Sequence, residues 1–367
     1  MKILHVVPSF GLGGMEKVLC SVVNSLPRRY EQEILSIDGE IDAAKWVQGT
    51  NVKFVHFSRP QGRARFFKAL FKSLKESKPA ILLTYNWGAT DAIWLGRLAG
   101  IKNIIHNEHG FNVDEAVSMQ WKRNVIRYLV YRLARLVIVV SQDLRKMMDT
   151  RFKLKAGRIL FIPNGVNTDV YSRNDQEREM ARKELGLKET DLVIGFSGRF
   201  DPVKNFSFLL TVFEHCVKSD KNFKLVLIGD GPERSSIEAF CSSRNMRDQV
   251  LFVGQQDNVL PYLRALDVFL LTSFREQMPM SMLEAMSTGI PVVASSVGEI
   301  PSILNGSEAG FVFESGADPQ VFAQSLLRLR NTEIRNQMGE AARRIILSRF
   351  PEKLMIQKYS EVFAAMV

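Results

Sequence analysis

Two carboxylates, two cations and a histidine stand at spacings that could handle a phosphorylated, hydroxyl-rich substrate. Glu276 and Glu284 lie eight residues apart in SFREQMPMSMLEAMSTGIPVVASSV, residues 273–297. Arg199 and Lys204 lie five apart in SGRFDPVKN, a loop with glycine and proline that precedes a helical stretch at 206–217. Two fixed cations in front of a helix N-terminus suit a diphosphate, because the free N–H groups and the helix dipole add to their charge. His109 follows an apolar run in IIHNEHG, where an imidazole can manage a proton or a sugar hydroxyl near neutral pH. His106, earlier in that run, reads as a strand residue. The plainer readings are a solvated loop with two charges, a loop and a helix glutamate without function, and a structural histidine.

These residues need rigid elements to place them. Pro279 suits a helix start, where a missing N–H does no harm, and Met280 to Ser287 carries Leu283 and Met286 on one side. Thr288-Gly289 stops that helix, and Ile290 to Ala294 is an apolar run fit for a buried parallel strand. Glu276 therefore falls in the loop before the helix, and Glu284 on the helix itself. At the other end of the chain, Lys2 to Val7 is a buried-type strand running into Gly11, Gly13 and Gly14, with a helix from about Met15 to Leu26. Such a glycine turn lets main chain approach a phosphate, or simply turns tightly. The dinucleotide fingerprint is broken, because Glu16 stands where its third glycine belongs.

Further strands recur near 33–37, 52–56, 80–84, 102–106 and 136–140, most of them separated by helical stretches. That rhythm predicts βαβ units and a largely parallel sheet. Residues 171–190 are polar and charge-dense, and a second strand series opens at Leu192 and continues with Phe223 to Ile228, Val250 to Gly254 and Leu266 to Leu271. The glycine-bearing turns Gly229-Asp230-Gly231 and Gly254 leave two of these strands. The expected domains are 1–170 and 171–349, with a closing helix over 350–367.

A chain of 367 residues is long for one core and fits two domains. Charged residues at 24% and hydrophobic ones at 46% exclude gross disorder. Three dispersed cysteines, Cys20, Cys216 and Cys241, give no metal spacing and no paired disulfide framework, which fits a reducing cytoplasm. The start has too short an apolar core for a signal peptide, and no 18-residue apolar run predicts a membrane span. The net charge of +10 is uneven: residues 1–170 hold 26 Lys+Arg against 14 Asp+Glu. No zinc finger, RNA-binding signature or helix-turn-helix supports a nucleic-acid partner. The basic amphipathic stretch 63–78, with Phe66, Phe67, Leu70, Phe71 and Leu74 on one side, is either a core helix with a solvated face or a helix in peripheral contact with an anionic membrane. Trp121 to Arg135 has the same character.

The stretch around Glu276 resembles the Glu-x7-Glu segment of the family-4 glycosyltransferases of the GT-B fold. The usual wording there is E-G-F-P, L-E-A-M and G-x-P-V-V-A. Glu276, Pro279, Leu283-Glu284-Ala285-Met286, Gly289 and Pro291 to Ala294 match, while Gln277 and Met278 replace Gly-Phe. Arg199 and Lys204 match G-R-x-x-x-x-K, Gly13-Gly14-Met15-Glu16 matches G-G-x-E, and His109 and Asn164-Gly165-Val166 match further positions. The resemblance implies two Rossmann-like domains facing a central cleft, the first on the acceptor side with the closing helix returning to it, the second binding a nucleotide sugar. It implies a retaining hexosyltransferase for bacterial exopolysaccharide or lipid-linked glycans. The donor would be a nucleoside diphosphate sugar, UDP-sugar ahead of GDP-sugar, with no cofactor and no bound metal.

It also implies roles. Arg199, Lys204 and the Gly13-Gly14 turn would face the diphosphate. Glu276, Pro279 and the main chain of Gln277 and Met278 would hold sugar hydroxyls, and Glu284 the ribose. Gly229, Gly231 and Val253 would flank the base. His109 would position sugar or acceptor, and Asn164 lies at the approach to the linker. A GT-B sugar-nucleotide epimerase is the alternative; an NAD-dependent Rossmann oxidoreductase, with Asp38 as ribose acid, is a more distant one.

Overall fold

The structure is a computed structural model that describes residues 1–110 and 120–366. By contacts the chain divides into two units, Met1–Asn164 with Glu352–Val367, and Gly165–Pro351. The last residue of the expected closing helix, Val367, lies outside the described residues.

The first unit is a seven-stranded sheet: β1 (Lys2–Val7), β2 (Glu31–Ser36), β3 (Val52–Val55), β4 (Ile81–Tyr85), β5 (Asn103–Glu108), β6 (Leu136–Val139) and β7 (Ile159–Phe161). Their order is β3-β2-β1-β4-β5-β6-β7, and every pairing is parallel. β1, β4 and β5 are almost wholly buried, which is why they read as apolar runs without alternation. The order reverses between β1 and β4, so loops leaving those strands diverge and open a crevice at their carboxyl ends. The helix Glu352–Ala364 packs in this unit through Met355, Tyr359, Val362 and Phe363, and the Tyr359 hydroxyl donates to Asn107 Oδ1 at 3.0 Å.

Helix Arg63–Ser77 buries Phe66, Leu70 and Leu74, and Phe67 meets Trp94 edge-on at 5.1 Å. Its apolar side is thus occupied by the unit's own core, and its lysines and arginines form the solvated face.

The second unit has six parallel strands: β8 (Leu192–Ser197), β9 (Phe223–Ile228), β10 (Val250–Gly254), β11 (Val268–Leu271), β12 (Val292–Ser295) and β13 (Gly310–Phe313). Their order is β10-β9-β8-β11-β12-β13, with the reversal between β8 and β11. β12 starts two residues later than the apolar run, because Pro291 accepts from the Phe269 N–H but has none of its own to donate. β11 also starts late. Leu266 closes the helix Leu260–Ala265, and the Asp267 carboxylate takes the Val193 N–H at 2.8 Å.

The polar stretch 171–190 contains a helix, Asp175–Glu184, capped by Asn174, whose Oδ1 accepts from the Glu177 N–H at 3.0 Å. Arg178 and Arg182 of this helix, with Arg335, converge on the buried Asp267 at 2.7, 3.1 and 3.4 Å. The division by contact falls after Asn164 rather than at 170. The intervening residues hang on the second unit: the Val166 N–H donates to Phe350 O at 3.0 Å, and Thr168 O and Val170 O accept from Arg343 Nη2 and Arg264 Nη2, each at 3.4 Å.

Candidate functional site

The second unit builds one set of the expected residues. The β8 loop carries Arg199 and Lys204, and the neighbouring exits of β9 and β11 hold it. Phe200 N–H donates to Asp230 O at 2.8 Å, Glu233 N–H to Phe200 O at 2.9 Å, and Phe274 N–H to Val203 O at 2.8 Å. Thr272 Oγ1 adds bonds to Lys204 O and Asn205 O at 3.2 and 3.3 Å. Gly229 and Gly231 make that close approach workable. A Cβ on Gly229 would collide with the Gly198 carbonyl, and one on Gly231 would stand 2.7 Å from Phe200 N. Gly229 N–H in turn donates to Gly254 O at 2.8 Å, and Val253 sits beside it on β10 with its carbonyl taken by Gln256 Nε2 at 3.0 Å.

Across the reversal point, the β11 loop carries Glu276. Lys204 Nζ lies 2.6 Å from Glu276 Oε1, and Ser273 Oγ donates to the same oxygen at 2.7 Å. The lysine and glutamate side chains are 21% and 10% exposed, so the pair is screened only partly by solvent. Residues separated by 72 positions in the chain thus meet where strand order reverses, the place where open α/β sheets bind ligands. Arg199 stands apart from this pair: it is 73% exposed and its charged neighbour is Asp201 at 3.2 Å.

Gln277 is half-buried; Met278 and Pro279 are buried. Pro279 leads into helix Met280–Ser287, which carries the buried Glu284. Gly298 lies against the carbonyls of Glu276 and Gln277, where a side chain would collide, and the Glu299 N–H donates to Gln277 O at 2.8 Å. Ser273 and Gly298 were not singled out from the sequence. Ser273 adjoins Glu276 in the chain, but only the fold returns the β12 loop to it.

The first unit carries Gly13, Gly14, His109 and Asn164. Gly13 precedes helix Gly14–Ser25, and Lys17 N–H donates to its carbonyl at 3.1 Å. The turn is lined by carboxylates as well as N–H groups. Glu16 lies against Gly13 and Glu40 against Gly11, and Ser9 Oγ donates to Glu40 Oε2 at 2.7 Å. Burial, with the nearby charges of Glu40 and Asp38, pushes the Glu16 carboxyl up to about 7. Asn164 is buried after β7.

His109 follows β5. Its N–H donates to Asn86 Oδ1 at 2.7 Å, and its ring stacks on Tyr85 with centroids 6.2 Å apart. The residue is half-buried, but its Nε2 is shut from solvent and has no hydrogen-bond partner among the described residues. Burial brings its pKa down to about 4, so at neutral pH it is a neutral imidazole.

Beneath it the wholly buried Glu108 accepts from the Tyr131 hydroxyl at 2.6 Å. Burial works against this carboxylate's charge. The neighbouring His106, 3.7 Å away, the charge of Arg127 and the Tyr131 hydrogen bond together outweigh it and hold the carboxyl below its ordinary range. His106 lies inside β5, its Nδ1 2.8 Å from Thr84 Oγ1. The sequence did not reveal this cluster, since Arg127 and Tyr131 look like ordinary residues of a basic stretch.

Residues 12–170 match the model of "Glycosyltransferase Family 4", and residues 177–345 that of "Glycosyl transferases group 1". The chain is 29% identical over 261 residues to the N-acetyl-alpha-D-glucosaminyl L-malate synthase of Bacillus anthracis, covering 71% of this chain and 67% of that protein. It is 26% identical to the UDP-Gal:alpha-D-GlcNAc-diphosphoundecaprenol alpha-1,3-galactosyltransferase of Escherichia coli, covering 82% and 79%. Among solved structures, Anabaena Alr3699/HepE in complex with UDP-glucose aligns over the full length of both chains with a TM-score of 0.86 at 20% identity, a likeness of fold. With a family model on each unit and two parallel doubly wound sheets, the chain belongs to the family-4 glycosyltransferases, enzymes of the GT-B fold.

Proposed function

We propose that the protein transfers a hexose from a nucleoside diphosphate sugar, UDP-sugar ahead of GDP-sugar, to a glycan or lipid-linked acceptor with retention at the anomeric carbon. The observation that carries the reading is the Lys204–Glu276 pair, 2.6 Å apart at the reversal point of the second sheet. A cation fit for phosphate touches a carboxylate fit for sugar hydroxyls, at the two places where one nucleotide sugar presents those groups. The named substrates of relatives support the donor class. The Escherichia coli relative is named for UDP-Gal and a diphosphoundecaprenol acceptor, and the Anabaena neighbour holds UDP-glucose. The same names support a place in polysaccharide or lipid-linked glycan assembly.

The leaving group is a nucleoside diphosphate whose negative charge grows as the glycosidic bond breaks. Preorganised cations and N–H donors stabilise that charge without reorganising. Lys204 and Arg199 supply the cations, and the Gly13-Gly14 turn supplies N–H groups. Glu276, with the main chain of Gln277 and Met278 ahead of Pro279, holds the donor hydroxyls. Glu284 takes the ribose, and Gly229, Gly231 and Val253 frame the base. Asn164 keeps the place after β7 where the first unit ends. His109, neutral at pH 7, places a hydroxyl by hydrogen bonding rather than by charge.

The test is a thermal-shift series across UDP-, GDP- and ADP-sugars, followed by proton NMR of the product's anomeric centre. Stabilisation by UDP-sugars first and an unchanged anomeric configuration are expected. Stabilisation by none of the three, or an inverted product, overturns the reading.

A further inference from the structure

Helix Trp121–Val130 of the first unit is built inside out. Only two of its residues, Arg127 and Val130, are buried. The inward Arg127 packs over the Trp87 ring at 4.8 Å and lends its charge to Glu108. At about 100° per residue, Trp121, Val125, Tyr128 and Leu129 fall together on the opposite face. All four are exposed, Trp121 at 70% and Leu129 at 59%. An amphipathic helix of a soluble core shows the reverse arrangement, with apolar residues inward and charges outward.

The stripe does not end with the helix. Leu133 follows it and is exposed, and Arg97 Nε donates to Leu133 O at 2.6 Å, which brings the end of helix Asp91–Leu98 and the exposed Leu98 to the same place. Cations surround this apolar patch. Lys122 lies over the Trp121 ring at 5.8 Å. Arg132 Nη2 donates to Lys153 O at 3.2 Å, and Arg158 Nη2 to Arg132 O at 2.6 Å. Those bonds tie segment 151–158 to segment 121–135, and Arg135 Nη1 donates to Asn103 Oδ1 at 2.6 Å. The acceptors are neutral, so the charges remain. Besides the buried Arg127, segments 97–102, 121–135 and 151–158 together hold ten lysines and arginines and no Asp or Glu. They account for much of the positive bias of the first half.

We propose that this face docks on an anionic lipid surface, with Trp121, Val125, Leu129 and Leu133 entering the interface and the surrounding lysines and arginines meeting acidic headgroups. The charge complementarity selects the occupant. A second copy of this face would bring two strongly basic rims together, and a nucleic acid would leave the aliphatic stripe in water. Exposed aromatic and aliphatic side chains ringed by cations are what an interfacial helix needs, since apolar insertion and headgroup attraction add. The surface is separate from helix Arg63–Ser77, which buries Phe66, Leu70 and Leu74.

The experiment uses the full chain with sedimented vesicles of phosphatidylcholine, with and without phosphatidylglycerol, at low and high salt. Binding is expected only with phosphatidylglycerol, weakened by salt, and accompanied by a blue shift of emission that disappears in Trp121→Phe. The combined change Trp121→Ser, Val125→Ser, Leu129→Ser removes side chains that are mostly in water, so its melting temperature should hold. Its vesicle affinity should fall about tenfold or more. Charge reversal at Lys68, Lys72 and Lys75 on the other basic helix should leave binding intact. Wild-type behaviour of the triple variant overturns the proposal, as does indifference to phosphatidylglycerol. So does a dimer that the triple variant dissolves without any vesicle binding, or duplex-DNA binding in its place. Stabilisation by UDP, read separately, reports on the donor site and is unaffected by either outcome.

Discussion

Glu276→Ala separates what the carboxylate does for stability from what it does for chemistry. In the wild-type protein its Oε1 receives Lys204 Nζ at 2.6 Å and Ser273 Oγ at 2.7 Å. A charge-assisted hydrogen bond contributes about 1.5–3 kcal/mol, but Lys204 is 21% exposed and can turn to water once the carboxylate is gone. The net loss is therefore about 1–2 kcal/mol, a few degrees in Tm. Turnover should fall far more, because a donor sugar misplaced by about 1 Å loses roughly 100-fold in rate. Binding of UDP should not weaken, since Lys204 no longer has to leave a carboxylate to reach phosphate. Lys204→Ala should do the opposite, weakening UDP by about tenfold or more through loss of a charge-assisted bond. Calorimetry for UDP, single-turnover kinetics and thermal melts on both variants and the double variant complete the cycle. Turnover of Glu276→Ala near the wild-type rate, or a loss of UDP affinity matching that of Lys204→Ala, would refute the division of labour.

Asp267→Ala leaves Arg178, Arg182 and Arg335 without their shared buried carboxylate and frees the Val193 N–H, so urea unfolding should show a loss of about 3–5 kcal/mol. Burial holds His5 and His109 neutral, each with a pKa of about 4 against 6.5 in the unfolded chain. Their contribution is full above pH 6.5 and disappears as pH falls through 4, so stability should drop by several kcal/mol, at most about 3 per histidine, over that window in urea titrations at stepped pH. Glu16 has the opposite sign: a carboxyl raised to about 7 disfavours the native state as pH climbs from 4.5 through 7. Glu16→Gln should match wild type at pH 4 and exceed it by about 1–2 kcal/mol at pH 8. Transfer activity should survive excess EDTA, because Arg199 and Lys204 supply the positive charge; loss restored by magnesium would count against that assignment.

Period and punctuation alone determined much of this protein. Apolar runs such as Lys2 to Val7 and Phe223 to Ile228 read as buried parallel strands because both faces of such strands are covered, and the polar break near 171–190 marked two units. The placing of Arg199, Lys204 and Glu276 in loops and of Glu284 on a helix was legible, because the glycine and proline turns and the helix start at Pro279 are spelled out locally. What the sequence could not show was who meets whom. The pairing of Lys204 with Glu276 depends on β8 and β11 being neighbours, and the strand order is set by long-range packing rather than by adjacent residues. The same holds for Asp267, which looks like a strand residue until three arginines from two distant helices converge on it. Helix Trp121–Val130 shows the limit most plainly. Its pattern is amphipathic, and amphipathicity fixes that two faces differ, but only the position of Trp87 and Glu108 decided that the arginine turns inward and the tryptophan outward.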